Sequence, residues 1–208
     1  MESFFSAVAL AFVTLFPIVD PPGAVPVFCT LTADSTVAVR RKTALKTALN
    51  VFIILLVFYF VGEFILEFFG ISLGVMKIAG GVVVAHTAWD MLTSKDKIQS
   101  ADEKEMQSKE DISFTPMALP LLSGPGAIGA AIGLSIPGTQ IIYTLGISTG
   151  VFLTAVAVYI ALMLSIPILR ILGKAGIDIL KRIMGFFILA IAVQLVVSGI
   201  IMAFKLQL

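Results

Sequence analysis

The chain has 208 residues, of which 59% are hydrophobic and 13% charged, and a mean hydropathy of +1.07. That is more apolar surface than a soluble core can hide, so the sequence reads as an all-α integral membrane protein. A formal net charge of +1 gives no reason to expect a nucleic-acid partner. The single Cys29 cannot form an intrachain disulfide and reads as a small packed side chain.

Six apolar segments follow, at about 3–32, 43–69, 71–92, 112–135, 140–166 and 178–204, each long enough for about 30 Å of hydrocarbon. The first has no Lys or Arg before Arg40, so it is expected to be a retained helix, not a signal peptide. Inside it runs Phe16-Pro17-Ile18-Val19-Asp20-Pro21-Pro22-Gly23-Ala24-Val25-Pro26. Proline lacks the helical N–H donor and clashes with the preceding turn, and glycine admits backbone angles other residues resist. A helix reaching Leu15 is therefore expected to unwind across 17–22 and restart near Gly23. Unwound backbone at membrane depth is tolerated where it is buried in protein or lines a watery cavity. The break is a candidate site.

Asp20 is the one acid expected near mid-membrane, and intramembrane carboxylates mark substrate, ion or proton paths. The plainer role is to cap the half-helix that follows, whose positive end favours a negative charge. The two roles are compatible. In segment 2, Glu63 and Glu67 form an i, i+4 pair that reads as solvated interface. In segment 3, His86 stands one turn from Asp90 with Trp89 between them. Such a pair can relay protons with His86 as the titrating member, but so close to the segment's end anchoring at the interface is the better reading. Residues 94–111 hold four lysines and six acids and read as a solvated linker. Thr115 and Pro116 suit a helix cap and first turn at the start of segment 4.

Segment 4 then repeats the first break. In Leu119-Pro120-Leu121-Leu122-Ser123-Gly124-Pro125-Gly126-Ala127-Ile128, Pro120, Pro125, Gly126 and Ala127 match Pro17, Pro22, Gly23 and Ala24 at an offset of 103, and Ser123 replaces Asp20. Lys77-Ile78-Ala79-Gly80 and Arg182-Ile183-Met184-Gly185 echo each other at an offset of 105. Two matches at nearly one offset predict a duplicated unit: residues 1–93 and 112–208 as two three-helix repeats, with segments 1 and 4 discontinuous. Gly129-x-x-x-Gly133, Gly146-x-x-x-Gly150 and Gly81-x-x-x-Ala85 predict close helix packing. Gln194, in segment 6, suits a hydrogen bond to substrate or to a neighbouring helix.

If every segment crosses, twelve of the fourteen basic residues fall on one side, and only Lys77 and Lys205 on the other. The positive-inside rule then makes the linker cytoplasmic and both termini external. If segments 1 and 4 are instead re-entrant hairpins, the split weakens to nine against five. Three crossings per half also force the repeats into opposite orientations, and interrupted segments at matching places point to a transporter's binding site. No nucleophile elbow, phosphate-binding loop, metal-protease motif or Cys/His cluster occurs, so no enzyme, cofactor or metal site is expected.

At the two breaks the sequence resembles the MarC family of bacterial and archaeal inner-membrane proteins, which includes small neutral amino acid transporters. The Lys/Arg-Ile-x-Gly echo and Ala192-Val193-Gln194 carry the likeness across essentially the whole chain. Asp20 departs from it, since the family usually has Asn before that proline. The resemblance implies an inner-membrane location and transport of a small neutral amino acid. Together with the residues it places substrate at Asp20, Pro21, Pro22, Gly23, Ala24, Ser123, Gly124, Pro125, Gly126, Ala127 and Gln194. Gly23, Ala24, Gly126 and Ala127 would offer backbone donors, and Asp20 would meet the ammonium or carry a coupled proton. A passive channel and a non-transporting scaffold are the alternatives; oligomeric state stays open.

Overall fold

The computed structural model describes residues 2–93, 112–135 and 140–204, so the expected linker and the Lys205 end lie outside the described residues. Among the described residues there are eight helical elements and no strand. The first broken segment is α1 (Glu2–Val19) and α2 (Pro21–Leu31). Next come α3 (Val37–Phe68) and α4 (Leu73–Thr93). The second broken segment is α5 (Ser113–Leu122), a π-helical turn, and α6 (Pro125–Gly133). α7 (Ile141–Met163) and α8 (Ser165–Phe204) complete the bundle.

Three stretches are long and apolar enough to cross a membrane, Val37–Gly62, Ile141–Met163 and Asp178–Phe204, and up to five if each bent pair is one span. α4 has 21 residues, about 31 Å of helix, but its Lys77, His86 and Asp90 make it less apolar than those three. The bends are 42° between α1 and α2 and 65° between α5 and α6.

The local chemistry explains where the helices begin and end. α3 starts at Val37, ahead of the apolar run expected from residue 43, because Thr36 caps it: its Oγ accepts the Val39 N–H at 3.4 Å. The basic turn at Arg40–Lys46 is therefore helical. Arg40 also closes α2, donating to the Thr32 carbonyl at 2.8 Å and the Thr32 hydroxyl at 3.1 Å. A cation there suits the negative end of α2. Segment 6 is longer than expected, since helix resumes at Ser165 and bends at Gly173, whose φ of 62° only glycine adopts easily.

Two expectations are corrected. The first break does not span residues 17–22: α1 keeps Pro17 and runs to Val19, and only Asp20 leaves the helix. Pro21 and Pro22 fill the first turn of α2, where their missing N–H groups cost nothing. Nor does Thr115 cap α5, which starts at Ser113. Thr115 (φ −120°, ψ 122°) and Leu119 (φ −132°, ψ 125°) are extended inside it, because each precedes a proline.

Small residues set the packing, as their spacing predicts. Gly146 and Gly150 of α7 lie against Ala7 and Ala11 of α1, so these helices run parallel. Gly74 approaches Gly199 and Ala203, Gly81 approaches Ala192 and Val196, and Gly185 approaches Ala88 and Met91, so α4 and α8 run antiparallel. Gly129 of α6 meets Gly80 of α4 backbone to backbone. α3 and α7 are antiparallel too, with Arg41 against Tyr159 and Phe52 against Phe152. α3 also packs on α5 and α6, and α2 on α7 and α8. The main core lies between α1, α2, α3, α5, α6 and α7, around Leu15, Phe28, Leu55, Met117, Ile147 and Leu162.

Candidate functional site

The two breaks meet near the middle of the bundle. Ile18, at the end of α1, faces Gly126, and both lie against Val84, near the midpoint of α4. Ile18 also packs beside Val84, Ala88, Ile188 and Ala192, where α4 crosses α8.

The first break closes on itself. Asp20 sits in the left-handed region (φ 49°, ψ 61°), which Asp tolerates better than most residues. From there its Oδ1 accepts the Gly23 N–H at 3.1 Å. The carboxylate occupies the space a Cβ on residue 23 would need, which explains the glycine. The cap anticipated from sequence is present, and it takes the Gly23 donor that the cradle was expected to offer. Ala24 N–H is also engaged, bonding the Asp20 carbonyl at 3.3 Å. Pro21 and Ala24 are buried, and Lys181 of α8 is within electrostatic reach of Asp20.

The second break stays open. Its cap residue, Gly124, has no side chain to offer, and Pro125 has no N–H. The first helical bond of α6 is Ile128 N–H to the Gly124 carbonyl, at 3.0 Å. The Gly126 and Ala127 N–H groups have no partner among the described residues. Ser123 is fully buried, at 0% exposure, and its hydroxyl has no partner among the described residues either. Unpaired donors at the positive end of a helix attract an anion.

A cleft of about 140 Å³ opens against this end. Gly124, Pro125, Gly126 and Ala127 form one side, with Pro120 and Leu121 of α5 beside them. Val83, Val84 and Thr87 of α4 face them, and Ile18 and Ile188 complete the lining. The volume is below the roughly 300 Å³ at which drug-sized pockets begin, so the cleft suits a solute of a few heavy atoms.

The expected site residues therefore divide. Gly124 to Ala127 line the cleft; Asp20 to Ala24 form the neighbouring break but are not in its lining. Gln194 is exposed and bonds Ser198 of its own helix at 3.2 Å, one turn along. His86 is 76% exposed, with Nδ1 3.6 Å from Asp90 Oδ2 and away from the cleft, as an interface anchor would be. Sequence reasoning missed the α4 wall. Thr87 was its one visible polar mark, but Thr87 returns its hydroxyl to the Val83 carbonyl at 3.2 Å. Val83, Val84 and Ile188 carry no signal distinguishing them from other membrane-helix residues.

Residues 5–204 match the model of the MarC family, described as MarC family integral membrane protein. The UPF0056 membrane protein MJ1677 of Methanocaldococcus jannaschii is 38% identical over 193 residues, covering 92% of this chain and 94% of its own. The UPF0056 membrane protein YhcE of Escherichia coli K12 is 36% identical over 192 residues, covering 91% and 89% respectively. The UPF0056 inner membrane protein MarC of Citrobacter koseri is 31% identical over 222 residues, covering 99% of each. No solved structure matches the chain significantly. With a match over nearly its full length and the paired breaks in place, this chain belongs to the MarC family of integral membrane proteins.

Proposed function

We propose that the protein is a secondary transporter or exporter of a small solute, with small neutral amino acids as the substrate class, working by alternating access around its two broken helices. The observation that carries this reading is the open second break: two unpaired amides at a helix N-terminus, on residues that line a cleft of about 140 Å³ near mid-bundle. A substrate carboxylate would bond the Gly126 and Ala127 N–H groups, as anions do at such ends. Asp20, fixed at the adjoining break, would meet the ammonium or carry a coupled proton when the cleft reshapes.

The packing supports six crossings arranged as an inverted repeat. Exchange α1 with α5, α2 with α6, α3 with α7 and α4 with α8. The packed pairs then map onto one another: α1–α7 onto α3–α5, α4–α6 onto α2–α8, α3–α6 onto α2–α7. Among the described residues, α1 with α8 is the one substantial pair without a comparable counterpart. The two pairs that map onto themselves, α3–α7 and α4–α8, are both antiparallel, as an in-plane twofold requires.

The directions of the helices also disfavour hairpins. The stretch of α8 beyond Gly173 runs opposite to α4, and α8 begins one residue after α7, which supports a segment 4 that begins and ends on opposite sides. The parallel α1–α7 pair supports the same reading of segment 1. Bends of 42° and 65° deflect a helix without turning it back. This topology puts twelve of fourteen basic residues on the cytoplasmic side of the inner membrane, with both termini outside.

The test is counterflow with purified protein in liposomes, preloaded with unlabelled solute and challenged with labelled small neutral amino acids, small alcohols and drugs. Transient uptake of one of the amino acids is expected. Failure of the whole panel, with correctly inserted protein, would remove the transport reading.

A further inference from the structure

A second opening lies outside the cleft, on the flank of the bundle between α3 and α7. It is a groove of about 300 Å³ with wholly apolar walls. Its origin is in the sequence. Ala48 and Ala155, both almost fully buried, face each other across the antiparallel pair and leave a depression between the helices. Leu45 and Leu49 of α3 and Val156 and Tyr159 of α7 rise on either side. Phe52 and Phe152 close one end, edge to face, with ring centres 5.9 Å apart. The two helices contribute at the same spacing, residues 45, 48, 49 and 52 against 152, 155, 156 and 159.

The other end of the groove is basic. Arg41, one turn before Leu45, is exposed and directs its Nε to the Tyr159 hydroxyl at 3.4 Å. That contact holds the guanidinium at the mouth and leaves its terminal nitrogens for a planar, bidentate anion contact. Lys42 is exposed beside it. From Arg41 to Phe52 is eleven residues, about 16 Å along a helix, which is about half of a 30 Å hydrocarbon core. The floor of the groove is thus at mid-bilayer when its mouth is at the surface.

We infer that this groove holds one anionic phospholipid of the cytoplasmic leaflet, its acyl chain over Ala48 and Ala155 down to the Phe52–Phe152 pair and its phosphate on Arg41 and Lys42. An apolar slot as deep as one leaflet, with cations only at its mouth, fits an acyl chain joined to a phosphate. Neither a neutral lipid nor a free phosphate uses both ends. A second copy of this chain would fill the slot with side chains but leaves the exposed cations unanswered. The inference rests on the proposed topology, with α3 and α7 crossing and Arg41 on the cytoplasmic side; it does not depend on what the cleft transports.

Native mass spectrometry of the purified full-length protein tests it, with phosphatidylglycerol or phosphatidylethanolamine of matched chains added. The wild type should retain one phosphatidylglycerol in preference to phosphatidylethanolamine. Arg41→Gln, at an exposed position, should lower phosphatidylglycerol retention at least about tenfold, as the loss of a charge-assisted contact does, and lower phosphatidylethanolamine retention less, since that lipid's phosphate is already offset by its own ammonium. Ala155→Leu should lower both by filling the groove. Equal retention of the two lipids with no response to Arg41→Gln overturns the inference, whether or not the Ala155 variant folds. So does a dimer mass that disappears in Ala155→Leu while lipid retention is unchanged, which would assign the groove to a second copy.

Discussion

Asp20 shows how much one residue decides in this chain. Its φ of 49° places it where alanine is strained, and its carboxylate holds the first turn of α2. Both effects can be measured separately. Asp20→Ala should lower stability in detergent by about 1–3 kcal/mol, combining the lost cap with the left-handed strain. Asp20→Asn should keep most of it, because Asn caps nearly as well and tolerates the same angles. Thermal melts monitored by size-exclusion chromatography check the order, and an Ala variant as stable as the Asn one would contradict it. If Asp20 also carries a coupled proton, the Asn variant should still exchange substrate down its gradient yet lose accumulation driven by a pH gradient, since Asn cannot titrate. Proton-driven accumulation equal to wild type would leave the cap as its only role.

The helices and their breaks were legible because prolines and glycines act locally. The 103-residue offset pairs the two breaks, but their bounds were less legible: the helices restart at Pro21 and Pro125, ahead of the expected Gly23 and Gly126. The asymmetry between the breaks was only half visible. The Asp20 cap and its replacement by Ser123 could be read, but not that the second break would be left open. That depends on the αL geometry at Asp20 and on the buried setting of Ser123, both set by tertiary packing. Gln194 misled for a related reason: polarity in an apolar helix does not tell which way the side chain faces. Gly126 follows directly from this picture. Its Cβ would lie 2.7 Å from Val84 Cγ2, at the wall of the cleft, so Gly126→Leu should abolish uptake while the protein still inserts in the membrane. Full uptake by that variant would move the site elsewhere. Gly150→Val should act differently, prising α1 from α7 where Ala11 Cβ is 2.5 Å from the new atom. Overpacking of this kind costs roughly 1–3 kcal/mol, so it should lower thermal stability, and an unchanged melt would contradict the close approach.

At the scale of the molecule, helix direction ties the breaks to the membrane. The sequence alone left crossing and re-entrant segments in competition, because basic-residue counts cannot see which way two helices run past each other. The antiparallel α4–α8 pair and the parallel α1–α7 pair supply that information. They predict that a reporter fused at Lys205 will be external and one inserted within 94–111 cytoplasmic; a cytoplasmic Lys205 reporter would return the hairpins. The central claim is that a molecule so arranged moves its solute by alternating access and not as a pore. Its most direct test is uptake of a labelled small neutral amino acid into proteoliposomes under an imposed pH gradient. Proton-coupled alternating access should raise the internal concentration above the external one, collapsing when the gradient is dissipated; uptake that stops at equal concentrations under a gradient of either sign would rule it out.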